Sequence, residues 1–272
     1  MTAHDWLTVQ RRSAPLLVSL PHTGTDLAAL EPRLVSPWLA RKDADWGIDR
    51  LYDFVAGLGA TVVRTSISRT VIDVNRDPSG ASLYPGQATT ELCPTTTFDG
   101  EPLYREGEAP DETEIASRKA AYFDPYHAAL ATEIARLRGL HSAIALYDCH
   151  SIRSVIPRLF EGRLPGFNLG TNGGSSADSS LGEGVVEVLK TSGIGYVVNG
   201  RFKGGWITRR YGDPSRGVHA LQMELACRVY LREPVGPVDE SCWPTSYDPT
   251  FAEPARRTLQ DIFRTILAWL SK

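Results

Sequence analysis

Short apolar segments that end in polar or glycine residues recur along the chain and predict strands buried inside a sheet. These segments lie at 15–21, 60–65, 143–150, 194–198 and 218–225, with shorter ones at 71–74 and at 167–170, of which the last is a short strand or a turn. Apolar runs of about four to eight residues with such boundaries are typical of strands covered on both faces, as in parallel sheets.

Longer segments with apolar residues three and four positions apart predict helices between these strands. They cover about 45–58, 113–138, 178–192 and 249–271. Gly59 is expected to end the first helix, Pro125 to kink the second, and Asp178 or Ser176 to cap the third. The succession of strands and helices predicts one α/β domain over residues 1–272, with a mixed, mostly parallel sheet flanked by helices.

One long segment, at about 77–112, shows neither the strand pattern nor the helix pattern and is rich in proline, glycine, threonine and acidic residues. Irregular loops of this length in a compact domain are usually functional or disordered. We expect this one to pack over the rim of an active site.

Composition and charge exclude several classes of protein. The 272 residues are 42% hydrophobic and 22% charged, and the net charge of −3 offers no basic surface for nucleic acid. No apolar run is long enough to span a bilayer, no signal peptide is recognisable, and the four cysteines are scattered. We therefore expect a cytoplasmic protein that binds neither nucleic acid nor membrane; its oligomeric state stays open.

Two histidines, His22 and His150, lie at the ends of two predicted strands. The carboxyl ends of parallel strands form the edge where α/β proteins bind ligands, so the two imidazoles can share a metal ion there. A catalytic zinc needs a third protein ligand. Asp43, Asp45 and Asp49 start the following helix, and the position of Asp45 favours it. The alternative is that both histidines are structural and that the acids only stabilise a helix N-terminus.

Glu224 is the candidate general acid/base. It lies near the end of the last predicted strand, at the same edge as the histidines if that strand is parallel to theirs. Its apolar neighbours Leu221, Met223 and Leu225 indicate a buried segment, and a buried carboxylate needs a partner or a role. The alternative is an ordinary surface glutamate.

Three arginines are candidates for binding carboxylates. Arg69 and Arg76 flank the short apolar segment that contains Asp73, and Arg209 follows two adjacent glycines. A guanidinium can bind a carboxylate through two parallel hydrogen bonds. The alternatives are a structural ion pair between Asp73 and one of its arginines, which the spacing slightly favours, and a hairpin turn that exposes Arg209.

Motifs over residues 10–265 resemble those of N-formylglutamate amidohydrolases, and they occur in the order of that family. They are Ser19-x-Pro21-His22-x-Gly24, Asp43-x-Asp45-Trp46, Ser68-Arg69, Asp73-x-Asn75-Arg76, Pro125-Tyr126-His127, Asp148-Cys149-His150-Ser151, Asn168-x-Gly170-Thr171, Gly204-Gly205, Thr208-Arg209 and Gln222-x-Glu224.

The resemblance implies a fold like that of zinc carboxypeptidases and hydrolysis of N-formyl-L-glutamate to formate and L-glutamate, a step of histidine degradation. It implies one Zn²⁺ per chain, or another divalent ion, on His22, Asp45 and His150, with Glu224 as general acid/base. Asp45 is preferred to Asp43 on motif position alone.

The two carboxylates of such a substrate suggest roles for Arg69, Arg76 and Arg209, with Asn75 as an amide partner. Ser151, Arg153 and His127 are further candidates around the site. Two other functions stay open: a zinc amidase that acts on another N-acyl amino acid, and a non-catalytic protein that binds acidic metabolites.

Overall fold

A seven-stranded mixed sheet forms the centre of the computed structural model, which describes residues 4–272. The strands are β1 (Leu7–Gln10), β2 (Leu16–Leu20), β3 (Thr61–Thr65), β4 (Ile144–Ile152), β5 (Phe167–Gly170), β6 (Tyr196–Val198) and β7 (Val218–Ala226). Their spatial order is β1-β3-β2-β4-β7-β5-β6. Neighbours are parallel except at β1–β3 and β5–β7, which confirms the predicted mixed, mostly parallel sheet.

Two features of the sheet differ from the sequence predictions. The edge strand β1 was not predicted, because its four half-buried or exposed residues give too short a pattern. Residues 71–74 do not form a strand. They continue a turn in which Val71 N–H donates to the Ser68 carbonyl, and their side chains are buried without a strand partner. Burial in the core, not pairing in a sheet, therefore explains this apolar segment.

Seven α-helices surround the sheet in the described part of the chain. They are α1 (Pro37–Arg41), α2 (Ile48–Leu51), α3 (Glu112–Arg118), α4 (Asp124–Arg138), α5 (Ser179–Thr191), α6 (Trp206–Tyr211) and α7 (Pro249–Leu270). The predictions for α5 and α7 are confirmed, and Asp178 caps α5 by accepting from Ser180 N–H.

Two predicted helices are interrupted. The helix expected at 45–58 is the four-residue α2 followed by a 3-10 segment at 53–58, which ends at Gly59 with φ +72°. The helix expected at 113–138 is divided into α3 and α4 by a π-helical turn at 119–123, directly before Pro125. Proline has no N–H to donate, so the helical hydrogen bonds are rearranged there.

The central strands are buried on both faces because successive side chains point to opposite sides of the sheet. Val18, Tyr147 and Met223 pack with α5 and α7 on one face. Leu146 and Ala220 pack with α4 and α6 on the other. Asp148 follows Leu146 by two residues in β4, and Gln222 follows Ala220 by two residues in β7. Both therefore lie on the face of the sheet that packs with α4 and α6, toward the carboxyl ends of the strands.

The segment between β3 and α3 contains no helix or strand from residue 77 to 111. It is held by isolated backbone bridges, such as Thr96 with Pro102.

In the described residues, no helix combines the length and apolar character needed to cross a membrane.

Candidate metal centre and active site

His22, Asp45 and His150 come together at the carboxyl ends of β2 and β4. One potential ligand atom from each lies within 4.8 Å of the others, and all three residues are buried. His22 follows β2, and its carbonyl accepts a hydrogen bond of 2.9 Å from Asp45 N–H, which fixes Asp45 beside it. His150 lies within β4. The three predicted ligands thus form one cluster.

The free hydrogen-bonding capacity of this cluster fits a cation. In the part of the chain that the structure describes, His22 Nδ1 and both carboxylate oxygens of Asp45 are buried without a hydrogen-bond partner. His150 Nδ1 lies 3.3 Å from Asp45 Oδ2. Buried polar atoms without partners are costly, and a metal ion would satisfy all of them. Two imidazole nitrogens and one carboxylate form a donor set that suits zinc and leaves a coordination position open.

The outer nitrogen of each histidine is held by a carboxylate. His22 Nε2 lies 2.7 Å from Asp73 Oδ1, and His150 Nε2 lies 2.9 Å from Asp148 Oδ2. A carboxylate at this position fixes the N–H on Nε2 and directs Nδ1 toward the shared centre. Sequence reasoning missed both carboxylates in this role. Asp148 precedes His150 by two residues in a strand, so the shared face could have revealed it.

The electrostatics of the cluster favour binding of positive charge. Burial lowers the pKa of His22, which keeps this imidazole neutral, as a metal ligand must be. Burial also acts to lower the pKa of His150, but Asp148 and Asp45 outweigh it and raise that pKa well above its ordinary value. The carboxylates around His150 therefore attract a cation, whether a proton or a metal.

Glu224 lies directly across from His150, because the two residues are register partners in the parallel pair β4–β7. Burial raises the pKa of the Glu224 carboxyl to about 8. Gln222, which sequence reasoning left without a role, donates from Nε2 to Glu224 Oε2 at 3.4 Å and accepts from Gly205 N–H at 2.6 Å. A carboxyl whose pKa lies near neutral pH, held beside a cluster that could bind a metal, suits general acid/base chemistry.

Arg69 and Arg76 line the same cavity as the two histidines and Glu224. The Arg69 guanidinium is buried and paired with Asp73 at 2.6 Å, the structural ion pair that the spacing favoured. Arg76 donates to the carbonyl and the hydroxyl of Thr90. Thr90 belongs to the long irregular segment, which therefore forms part of the cavity wall.

Asn75 is part of the cavity wall, whereas Arg209 lies outside the cavity lining. Asn75 Nδ2 donates to Asp148 Oδ2 at 2.9 Å and its Oδ1 accepts from Ile207 N–H at 2.7 Å, so its amide is engaged within the protein. Arg209 is in helix α6, not in a hairpin turn, and is absent from the cavity lining. Its guanidinium covers the ring of Tyr84, which does line the cavity.

The remaining candidates lie around the cluster. Asp43 is not in it, because its carboxylate accepts from Phe98 N–H and pairs with Arg153 at 3.3 Å. Ser151 lines the cavity and bonds to the Tyr230 hydroxyl. His127 Nε2 lies 2.8 Å from the Val74 carbonyl, so this ring supports the segment that carries Asp73 and Asn75.

Comparisons with known proteins identify the family of the chain. The sequence model of N-formylglutamate amidohydrolases matches residues 14–231. The chain is 45% identical to an N-formylglutamate deformylase of Pseudomonas aeruginosa and 44% identical to one of Pseudomonas putida, over 97% of this chain and 96% of each relative. A crystal structure of N-formylglutamate amidohydrolase from Ralstonia eutropha JMP134 has the same fold, with a TM-score of 0.76, 24% identity and 98% of both chains covered. The chain belongs to the N-formylglutamate amidohydrolase family.

Proposed function

We propose that the protein hydrolyses the amide bond of N-formyl-L-glutamate to formate and L-glutamate, as a step in histidine degradation. The observation that carries this proposal is the position of Glu224 opposite a buried His22, Asp45 and His150 cluster, in a cavity that arginines line. The names of the two Pseudomonas relatives support the substrate.

Zinc is the proposed cofactor, held by His22, His150 and Asp45. A bound zinc ion polarises a carbonyl oxygen and lowers the pKa of a water molecule toward roughly 7. Asp73 and Asp148 keep both imidazoles in the tautomer that presents Nδ1 to the centre. The buried surroundings exclude bulk water, which strengthens the interactions of these charges.

Glu224 is proposed to move the proton during the reaction. Its carboxylate accepts a proton as the oxygen of water attacks the formyl carbon, and then donates that proton to the amide nitrogen as the carbon–nitrogen bond breaks. The products are formate and the amine of L-glutamate. Gln222 orients Glu224 by donating to one carboxylate oxygen, which leaves the other for the proton.

Arg69 and Arg76 are proposed to supply the positive charge that draws a dianionic substrate into the cavity. Arg69 shares its charge with Asp73, and its second role is to hold that carboxylate against His22. Asn75 is proposed to support the site by donating a hydrogen bond that fixes Asp148. Arg209 is proposed to support the cavity wall, because its guanidinium packs over the ring of Tyr84.

The test measures formate released from N-formyl-L-glutamate by purified protein, before and after chelation and after zinc is added back. We expect release that the chelator stops and zinc restores. Glu224→Gln should lose nearly all activity and keep its zinc, whereas His150→Ala should lose both. Near-normal turnover by Glu224→Gln would exclude the acid/base role.

The same assay separates the other functions. Faster release of acetate from N-acetyl-L-glutamate than of formate would indicate an amidase for a different acyl group. Tight binding of L-glutamate, with no release from any N-acyl amino acid by zinc-loaded protein, would indicate a binding protein.

A further inference from the structure

Arg201 is a cavity residue that neither the motifs nor the proposed mechanism uses. It lies in the segment between β6 and α6, and its side chain lines the same cavity as Arg76 and Glu224. The site therefore contains a third guanidinium at its wall, in addition to Arg69 and Arg76.

The Arg201 guanidinium is held in one orientation. Nε donates to the Leu159 carbonyl and Nη2 donates to the Ala88 carbonyl, both at 2.8 Å. The rings of Tyr84 and Phe202 lie against it, with their centroids 5.2 and 5.3 Å from Cζ. A guanidinium has five N–H donors, so the two carbonyls leave three of them for a ligand. A group fixed in this way loses little conformational freedom when it binds an anion.

Among the described residues, no carboxylate neutralises the charge of Arg201 in an ion pair. Within residues 4–272 it forms no ion pair with a carboxylate, whereas Arg69 lies 2.6 Å from Asp73 and Arg76 lies 3.6 Å from the same carboxylate. Burial lowers the pKa of the Arg201 guanidinium and the positive charge of Arg76 acts in the same direction, and together they outweigh Tyr84 and Glu224, which act to raise it. An anion between Arg76 and Arg201 would compensate both charges.

The shape of the proposed substrate assigns its two carboxylates to different arginines. In N-formyl-L-glutamate the side-chain carboxyl is two carbon–carbon bonds further from Cα than the α-carboxyl, which adds about 2.5 Å of reach. Arg76 contacts Asp73, the carboxylate that holds His22, so it lies next to the reacting centre. Among the described residues, Arg201 donates to the carbonyls of Leu159 and Ala88 in the cavity wall and pairs with neither of the carboxylates that hold the histidines.

We propose that Arg201 binds the side-chain carboxylate of the substrate and makes the enzyme selective for N-acyl amino acids with an acidic side chain. This inference rests on the proposed function. Recognition by a fixed guanidinium discriminates strongly, because a neutral side chain would leave the half-buried positive charge without a partner.

The test compares N-formyl-L-glutamate with N-formyl-L-glutamine, which has nearly the same shape but a neutral amide at the end of its side chain. In Arg201→Gln we expect KM for N-formyl-L-glutamate to rise roughly 10- to 100-fold with kcat nearly unchanged. KM for N-formyl-L-glutamine should change little, so that the preference for the acidic substrate is lost. Arg201→Lys should retain part of the preference, because it keeps the charge without the planar fork.

Arg210→Gln is the matched control, since it removes the same charge from an exposed arginine outside the cavity lining. It should keep the wild-type preference. An Arg201→Gln enzyme that still prefers the acidic substrate, or that loses both substrates equally, would overturn the proposal. If Arg201→Gln does not fold, the same comparison is made with Arg201→Lys. A full wild-type preference for the acidic substrate in Arg201→Lys would count against the proposal.

Failure of the proposed function gives a different result. In that case wild-type protein loaded with zinc releases formate from neither substrate. Calorimetry with L-glutamate and L-glutamine then tests Arg201 by itself: we expect wild-type protein to prefer L-glutamate and Arg201→Gln to lose that preference. Equal affinity of wild-type protein for the two amino acids would reject the role of Arg201.

Discussion

Each histidine of the cluster has one nitrogen toward the centre and one toward a carboxylate. His22 is held by Asp73 and His150 by Asp148, while the inner nitrogen of His22 has no hydrogen-bond partner among residues 4–272. A carboxylate that accepts from the outer N–H also makes the inner nitrogen more basic, and so a better metal ligand. Metal affinity at this site should therefore depend on residues that never touch the metal.

Asp148→Asn tests this dependence. The amide oxygen can still accept from His150 Nε2, but it carries no negative charge, so we expect zinc affinity to fall roughly 10-fold or more. Competition with a chromogenic chelator measures the affinity. Asp261→Asn is the control: it removes the same charge from an exposed ion pair with Arg264 and should leave the zinc affinity unchanged. Equal zinc affinity in the two variants would show that Asp148 does not orient His150.

At the scale of elements, strands β4 and β7 carry both the core and the chemistry by alternating residues. Asp148 and His150 share one face of β4, and Gln222 and Glu224 lie beside them in β7. The residues between them, such as Cys149 and Met223, belong to the core on the opposite face. A shift of register by one residue would exchange the two faces, so sheet pairing and site assembly are inseparable.

The start of α6 packs against this arrangement at Gly205. A Cβ there would lie 2.5 Å from Asn75 Nδ2, and the Asn75 amide is fixed by Asp148 and Ile207. Gly205→Ala should therefore lower the free energy of unfolding by about 1–3 kcal/mol. Gly182→Ala, within α5 and with no atom within 4 Å of the added methyl, should raise it by about 0.5–1 kcal/mol. Urea denaturation measures both, and equal effects would contradict the close packing.

At the scale of the whole molecule, the cluster joins parts of the chain that are far apart in sequence. His22 follows β2, Asp45 precedes α2, and His150 lies in β4. These ligands meet only in the folded protein, so a metal that binds them stabilises the folded state relative to the unfolded chain.

Zinc should therefore raise the thermal unfolding temperature. At a free concentration about 100 times its dissociation constant, zinc contributes about 2.7 kcal/mol. For a protein of this size the midpoint should rise on the order of 5 °C in differential scanning calorimetry. His150→Ala should show no such increase. A similar increase in that variant would mean that zinc binds elsewhere.

Most of the fold follows from local patterns in the sequence. The apolar runs identify six of the seven strands and the long helix α7, because buried strands and amphipathic helices leave distinct periodicities. The short edge strand β1 and the interrupted helix after residue 45 are not predictable in this way. Their form depends on sheet pairing and on packing against other elements.

The sequence by itself determined the candidate ligands, the candidate acid/base and the family motifs, because these depend on residue type and on positions at strand ends. Only the tertiary structure decided which charges are already neutralised. Arg69 is paired with Asp73, Asn75 is engaged with Asp148, and Arg201 lines the cavity without a carboxylate partner among the described residues. The reason is physical: the role of a charged side chain depends on what lies within a few ångströms, and those neighbours come from distant parts of the chain.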